Sequence, residues 1–187
     1  GVVGAGSIAF TSGVDGTHPD DDLILGYLYG VENHIEKFLR RSLLQTDLVL
    51  QMSCFPNCRE LILDDGPVIS LTSFTYYDSN NALQTVDGST YTLDNHSVPD
   101  VIELSQVANW PATYLRRNAV LVAYRAGWAN ADAVPAEIKI AAKLYCGHFY
   151  ENRENTIISS GGTTASGGAI EQGAEMLLWP HRDYRFI

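Results

Sequence analysis

Near the end of the stretch AVPAEIKIAAKLYCGHFYENRE, residues 133–154, the chain sets Cys146, His148, Glu151 and Glu154 close together. Thiolate, imidazole and carboxylate are the side chains that ligate metals or move protons, so the cluster is the first place to look for chemistry. His148 and Glu151, three apart on one flank of a helix, could supply two ligands. A carboxylate-bridged centre then needs matching ligands from other helices. The first helix offers only Glu32, His34 and Glu36, and its two glutamates share a side that faces away from His34. Cys54 and Cys58 complete a four-ligand set with Cys146 and His148 on paper, but C-x3-C followed much later by C-x-H matches no zinc spacing. Three cysteines cannot all pair, and without a secretory context they read as free thiols of a reducing compartment. No G-x-S-x-G, H-E-x-x-H, Walker loop or dinucleotide fingerprint occurs. His18 and His96 sit in turn-like, solvated contexts. The sequence therefore implies no catalytic residues, no metal site and no cofactor.

The elements that carry these residues follow from periodicity. THPDDDLILGYLYGVENHIEKFLRRSLL places an acidic cluster at a helix start, then Ile24, Leu28, Val31, Ile35, Phe38 and Leu39 along one apolar stripe. Arg40 and Arg41 fall in the last turns, where cations complement the dipole. Gly26 and Gly30, four apart on the polar side, read either as a place where a neighbour approaches closely or as chance. From about residue 47 the period changes. TDLVLQMSCF, RELILDD, PVISLTSFTYYD, ALQTV, TYTL, DVIELS and NAVLVAYRAGW are β-rich runs separated by turn signals such as Asp65-Gly66-Pro67 and Asp87-Gly88. They predict an antiparallel β-meander inserted between helices.

The second helix opens at Pro135 with Glu137 behind it. Steps of 100° align Ile138, Ala142, Tyr145 and Phe149, and leave Ile140 and Leu144 well outside that stripe. Such a wide apolar surface predicts burial on two sides, by the domain's own core and by a neighbouring subunit. SSGGTTASGG lacks the Lys and the strand-to-helix setting of a phosphate loop and reads as a linker. IEQGAEMLLWPHRDYRFI then forms a short helix broken at Pro180, with an aromatic, Arg-bearing tail that needs a cover. The fold class is thus α+β: an N-terminal amphipathic helix, a long helix near 135–154 and a short C-terminal helix, with a β unit inserted at about 47–127.

At 187 residues the chain reads as one domain: an arm at 1–17, a helix at 18–44, the β unit, a helix at 134–154, a linker at 155–169 and the terminal segment 170–187. The opening GVVGAGSIAFTSGVDGT has neither Met nor a basic region, so it reads as an arm that orders against a partner or as a frayed terminus. Twelve basic residues against 22 acidic ones give a formal charge of −10, which disfavours tight binding of nucleic-acid phosphate. The basic pairs in FLRR (38–41) and YLRRN (114–118) suit salt bridges between subunits better than phosphate contacts. No apolar run is long enough to span a membrane.

In combination these segments resemble the head–tail connector proteins of tailed bacteriophages, also called adaptor or head-completion proteins. The resemblance runs in order over roughly residues 20–187 through VENHIEKFLRRSL, GPVISLTSFTYYD, NWP, NAVLVAYRAGW, AVPAEI, YENRE and GAEMLLWPHRDYRF. Asp64 and Asp65 depart from the family's pattern in the loop before GPV. The resemblance implies a structural ring, most simply a dodecamer, between the portal protein and a stopper or tail-completion protein; the alternatives are a stopper or tail-completion component one layer lower, or a small metal-dependent enzyme using His148 and Glu151. Duplex DNA would pass through the ring without specific binding, in a virion neck assembled in the host cytoplasm. A gene-transfer particle could use the same part. On this reading the 146–154 cluster is the polar flank of a packed helix. Arg40, Arg41, Tyr145, His148, Glu151, Arg153, Trp179, Arg182, Tyr184, Arg185 and Phe186 become candidates for contact with other copies or with the portal.

Overall fold

The structure is a computed structural model and describes residues 19–151 and 168–183. Its element order is α1 (Asp21–Leu39), β1 (Thr46–Met52), β2 (Glu60–Ile62), β3 (Val68–Tyr77), β4 (Leu83–Thr85), β5 (Tyr91–Asp94), β6 (Val101–Leu104), β7 (Val120–Ala126), α2 (Ala136–Glu151) and α3 (Gly168–Leu178). This is the α+β architecture expected, with an antiparallel β unit inserted between helices. Two compact units emerge: a β unit over Arg40–Ala129, to which Asp183 belongs, and a helical unit that holds α1 and Asn130–Arg182.

In the β unit each of the seven β-rich runs contains one strand, but they do not form a meander. One sheet has the order β1-β7-β3-β4 and the other β2-β6-β5, every pairing antiparallel. Only β3–β4 and β5–β6 pair as sequence neighbours. The first strand instead pairs with the last, Thr46 opposite Ala126 through Met52 opposite Val120. β7 takes the central place, between β1 and β3, and with burial at alternate positions its Val120, Val122, Tyr124 and Ala126 present an apolar face to the core. β3 runs along β7 from Val68 to Tyr76 by absorbing two register shifts, between Val68 and Ser70 and between Leu71 and Ser73.

The core of this unit is aromatic. Phe55 stacks on Trp110 at 4.9 Å, Phe74 meets Tyr91 edge-on at 5.2 Å, and the Trp110 indole donates to the Cys58 carbonyl at 2.8 Å. Two polar groups buried beside it find partners. Asp100 accepts from the Val68 amide at 3.1 Å, and the Tyr124 hydroxyl donates to the Asp64 carbonyl at 2.8 Å. Burial pushes the Asp100 carboxyl upward against the opposing pull of that amide and of Arg41.

In the helical unit α1 buries Leu28, Val31, Ile35 and Leu39. It is shorter than the expected 18–44 helix, because Arg40 turns left-handed at φ 56° and ends it. Beyond it Leu43 is a buried residue of the β unit, where the Ser42 amide is held by the Asp65 carbonyl at 3.2 Å. A Cβ at Gly26 or Gly30 would meet no atom within 4 Å, so these glycines mark no close approach among the described residues. α2 buries Ile138, Ala141, Ala142 and Tyr145, while α3 buries Ala174 and Leu178. The two helices pack on each other, and α1 packs on α2. The Tyr150 hydroxyl at the end of α2 donates to Asp20 at the start of α1, 2.9 Å away.

Candidate subunit interface

The residues that could do chemistry are dispersed by this fold. Cys54 and Cys58 are exposed free thiols of the β unit, while Cys146 is a half-buried free thiol on α2 whose pKa is raised by desolvation. Among the described residues no group of three or more His, Cys, Asp and Glu side chains converges as a metal site would require. Glu154 lies outside the described residues. His34 turns toward the edge of Tyr145 at 5.3 Å, and His148 lies against Phe149 at 6.0 Å.

Glu32 and Glu36 do share one side of α1. Burial, reinforced by the like charge of Glu36, pushes the Glu32 carboxyl from 4.5 up to about 7. The folded chain therefore holds a proton that the unfolded chain releases. The stabilisation this gives is complete below the unfolded pKa near 4.5 and is lost as pH rises through about 7. Because Glu32 is only half-buried, screening should reduce the full linkage to about 1–2 kcal/mol. Glu32→Gln should leave urea unfolding unchanged near pH 4 and stabilise the chain by that amount at pH 8. Equal effects at both pH values would contradict the buried-carboxylate account.

The candidate contact residues separate into four groups. Arg41 and Tyr145 are engaged within their own units: the Arg41 guanidinium lies over Trp128 at 5.7 Å, and Tyr145 is buried. Arg40, His148 and Glu151 reach the surface, Arg40 and Glu151 exposed and His148 in part. Trp179 and Arg182 form a stack with Phe38. The two rings meet edge-on at 6.2 Å, and the guanidinium lies 5.0 Å from Phe38 and 5.5 Å from Trp179. Trp179 still leaves 45% of its surface open. Pro180 occupies a short 3-10 turn, Trp179–His181, where its missing amide costs no helical bond. Arg153, Tyr184, Arg185 and Phe186 lie outside the described residues.

Part of what the helical unit leaves uncovered is apolar. Ile140 and Leu144, one turn apart on α2, stay 49% and 40% exposed, and Met176 of α3 stays 75% exposed. The stripe of Ile138, Ala142 and Tyr145 ends at Phe149, which is half open and meets the Tyr27 ring at 6.1 Å. α2 thus buries one apolar face and offers a second to solvent, a surface of the kind that meets other proteins. Sequence reasoning passes over two further residues. Val107 and Leu115 project from the 105–119 connection with almost no contact, and isolated apolar residues in a polar loop give no periodic signal.

No family model and no curated protein matches the chain. Solved structures do. A chain from the neck of an empty GTA particle computed with C6 symmetry superposes with TM-score 0.70 at 20% identity, over 99% of this chain and 86% of that one. A chain from the neck of a native GTA particle computed with C12 symmetry gives 0.69 at 20% identity, over 88% and 84%. A chain of the virion of a native gene transfer agent (GTA) particle gives 0.71 at 20% identity, over 91% and 81%. At that identity the likeness is one of fold.

Proposed function

We propose that the chain is the adaptor of a virion neck. It forms a ring, twelve copies in the assembled particle, that joins the portal vertex of a DNA-filled head to a stopper or tail-completion protein and continues the DNA channel. The observation that carries this reading is a fold shared over most of its length with chains from GTA necks and from a GTA virion, at TM-scores near 0.7. The C12 symmetry used for one of those necks supports the copy number. The second apolar face of α2 is what a ring subunit needs: area left over after folding, set aside for a neighbouring copy. A net charge of −10 suits a passage that duplex DNA must traverse without sticking. The role is structural, and the particle is a tailed phage or a gene transfer agent.

The test is reconstitution of the chain with its cognate portal, imaged by electron microscopy. A twelvefold ring beneath the portal is expected. A chain that binds only the tail-side protein, or binds neither, would refute the adaptor assignment. The terminal residues Tyr184, Arg185 and Phe186 are proposed to reach the portal. Removing residues 184–187 should then lower portal affinity by about tenfold with the melting temperature unchanged. A longer deletion from Trp179 would confuse the result, because Trp179 supports Phe38 and Asp183 is buried.

A further inference from the structure

We propose that one copy of the β unit inserts its 114–118 loop into a groove on the next copy, so that the ring is held by a head-to-tail contact between loop and sheet face. The proposal rests on the ring reading above and goes on to name the residues that meet. The groove, about 340 Å³, lies on the outer face of the β2-β6-β5 sheet. Alternation along the strands sets its lining. Leu61 and Ile102 point into the core, so Glu60 and Ile62 of β2 and Val101 and Glu103 of β6 point out, joined by Asp94 and Val98. Glu60 sits directly opposite Glu103 in the register. Like charges at such a position destabilise a sheet, and neither carboxylate meets a cation among the described residues. The groove therefore asks for a positive charge accompanied by an apolar side chain that can cover Ile62, Val98 and Val101.

The loop offers that combination. Leu115 is 99% exposed, and its neighbour Arg117 is exposed and makes no ion pair among the described residues. The intervening residue fixes their presentation. The Arg116 guanidinium lies 4.0 Å over the Tyr77 ring and donates to the Asn81 side chain at 3.2 Å, while the Tyr114 amide donates to the Tyr77 carbonyl at 2.9 Å. Asn118 closes the loop in the left-handed region at φ 54°. A loop held in shape before contact loses little freedom on docking. Leu115, 99% exposed, does not sit in its own chain's groove, and the match of exposed Arg117 to the Glu60–Glu103 pair makes a second copy the occupant. Loop and groove are different patches, which makes the contact heterologous, and such a contact closes into a ring when the rotation per copy permits.

Charge reversal tests this in the full chain assembled on its cognate portal. Arg117→Glu should weaken contact between copies by about tenfold without changing the melting temperature. Glu103→Arg should also weaken assembly, yet raise the melting temperature of the isolated chain, because it replaces the repulsion from Glu60 by attraction. The two changes combined in one chain should restore assembly. Rings formed equally well by Arg117→Glu, or a double variant that recovers nothing, would overturn the loop-in-groove contact and leave the adaptor reading standing. A parent chain that never forms rings would overturn both.

Discussion

Gly127→Ala should unfold the β unit, or bring it to the edge of unfolding, and this is the largest single effect expected from one added methyl group. Gly127 has φ 100°, a backbone region that residues with a Cβ rarely adopt. It also has no room. A Cβ there would lie 2.1 Å from the Leu44 carbonyl oxygen and 2.4 Å from its carbon, both main-chain atoms that cannot rotate away. The crowding comes from the way the unit is closed. Leu44 bridges Trp128 in parallel, and the Gly127 amide donates to the Pro67 carbonyl at 2.9 Å, so three separate segments converge at this glycine. Relieving the clash means breaking that convergence, at roughly 3–5 kcal/mol from a total that for most domains is about 5–15 kcal/mol. Gly147 supplies the control. It lies in α2, where an added Cβ would meet nothing within 4 Å, so Gly147→Ala should stabilise by about 0.5–1 kcal/mol. Urea unfolding of both variants measures the difference. A Gly127→Ala chain within about 1 kcal/mol of its parent would mean that this convergence is not as described.

That glycine also marks where the sequence stops being legible. Period and turn residues disclose all seven strands, because each is a short β-rich run between strong breakers. They cannot disclose that β1 pairs with β7 across the whole unit. The closure at Gly127 beside that pairing, and the two register shifts by which β3 follows the other edge of β7, leave no periodic mark. The length of α1 is overestimated for a similar reason. Leu43 and Leu44 continue the apolar pattern of α1, and only the left-handed Arg40 shows that the chain has turned toward another core. The breadth of the apolar surface on α2 is plain from 100° steps, since Ile140 and Leu144 lie far from Ile138 on the helical wheel. The groove on the β2-β6-β5 sheet is not, because it is made by Glu60 and Glu103, residues far apart in sequence that only the register sets side by side.

The α2 face yields the second large effect. Ile140→Glu with Leu144→Glu should abolish ring formation and leave the subunit folded. Both side chains are about half exposed, so covering what remains contributes about 1 kcal/mol each to an interface. Replacing them by carboxylates does more than remove that gain. Each charge would have to be desolvated or leave a wet gap, at a cost of a few kcal/mol. In a closed ring every copy makes the contact twice, so the loss is felt on both sides of each subunit. Affinity between copies should fall by at least about a hundredfold, whereas the single subunit, which loses the buried half of two apolar side chains, should be destabilised by about 1–2 kcal/mol and stay folded. Ile140→Ala with Leu144→Ala should give an intermediate loss, because it removes area without adding charge. Native mass spectrometry of the portal-bound assembly, with thermal unfolding of the free chain, separates the two quantities. Full rings from the double glutamate variant would assign that stripe to solvent, and the contact between copies would have to be sought on the β unit alone.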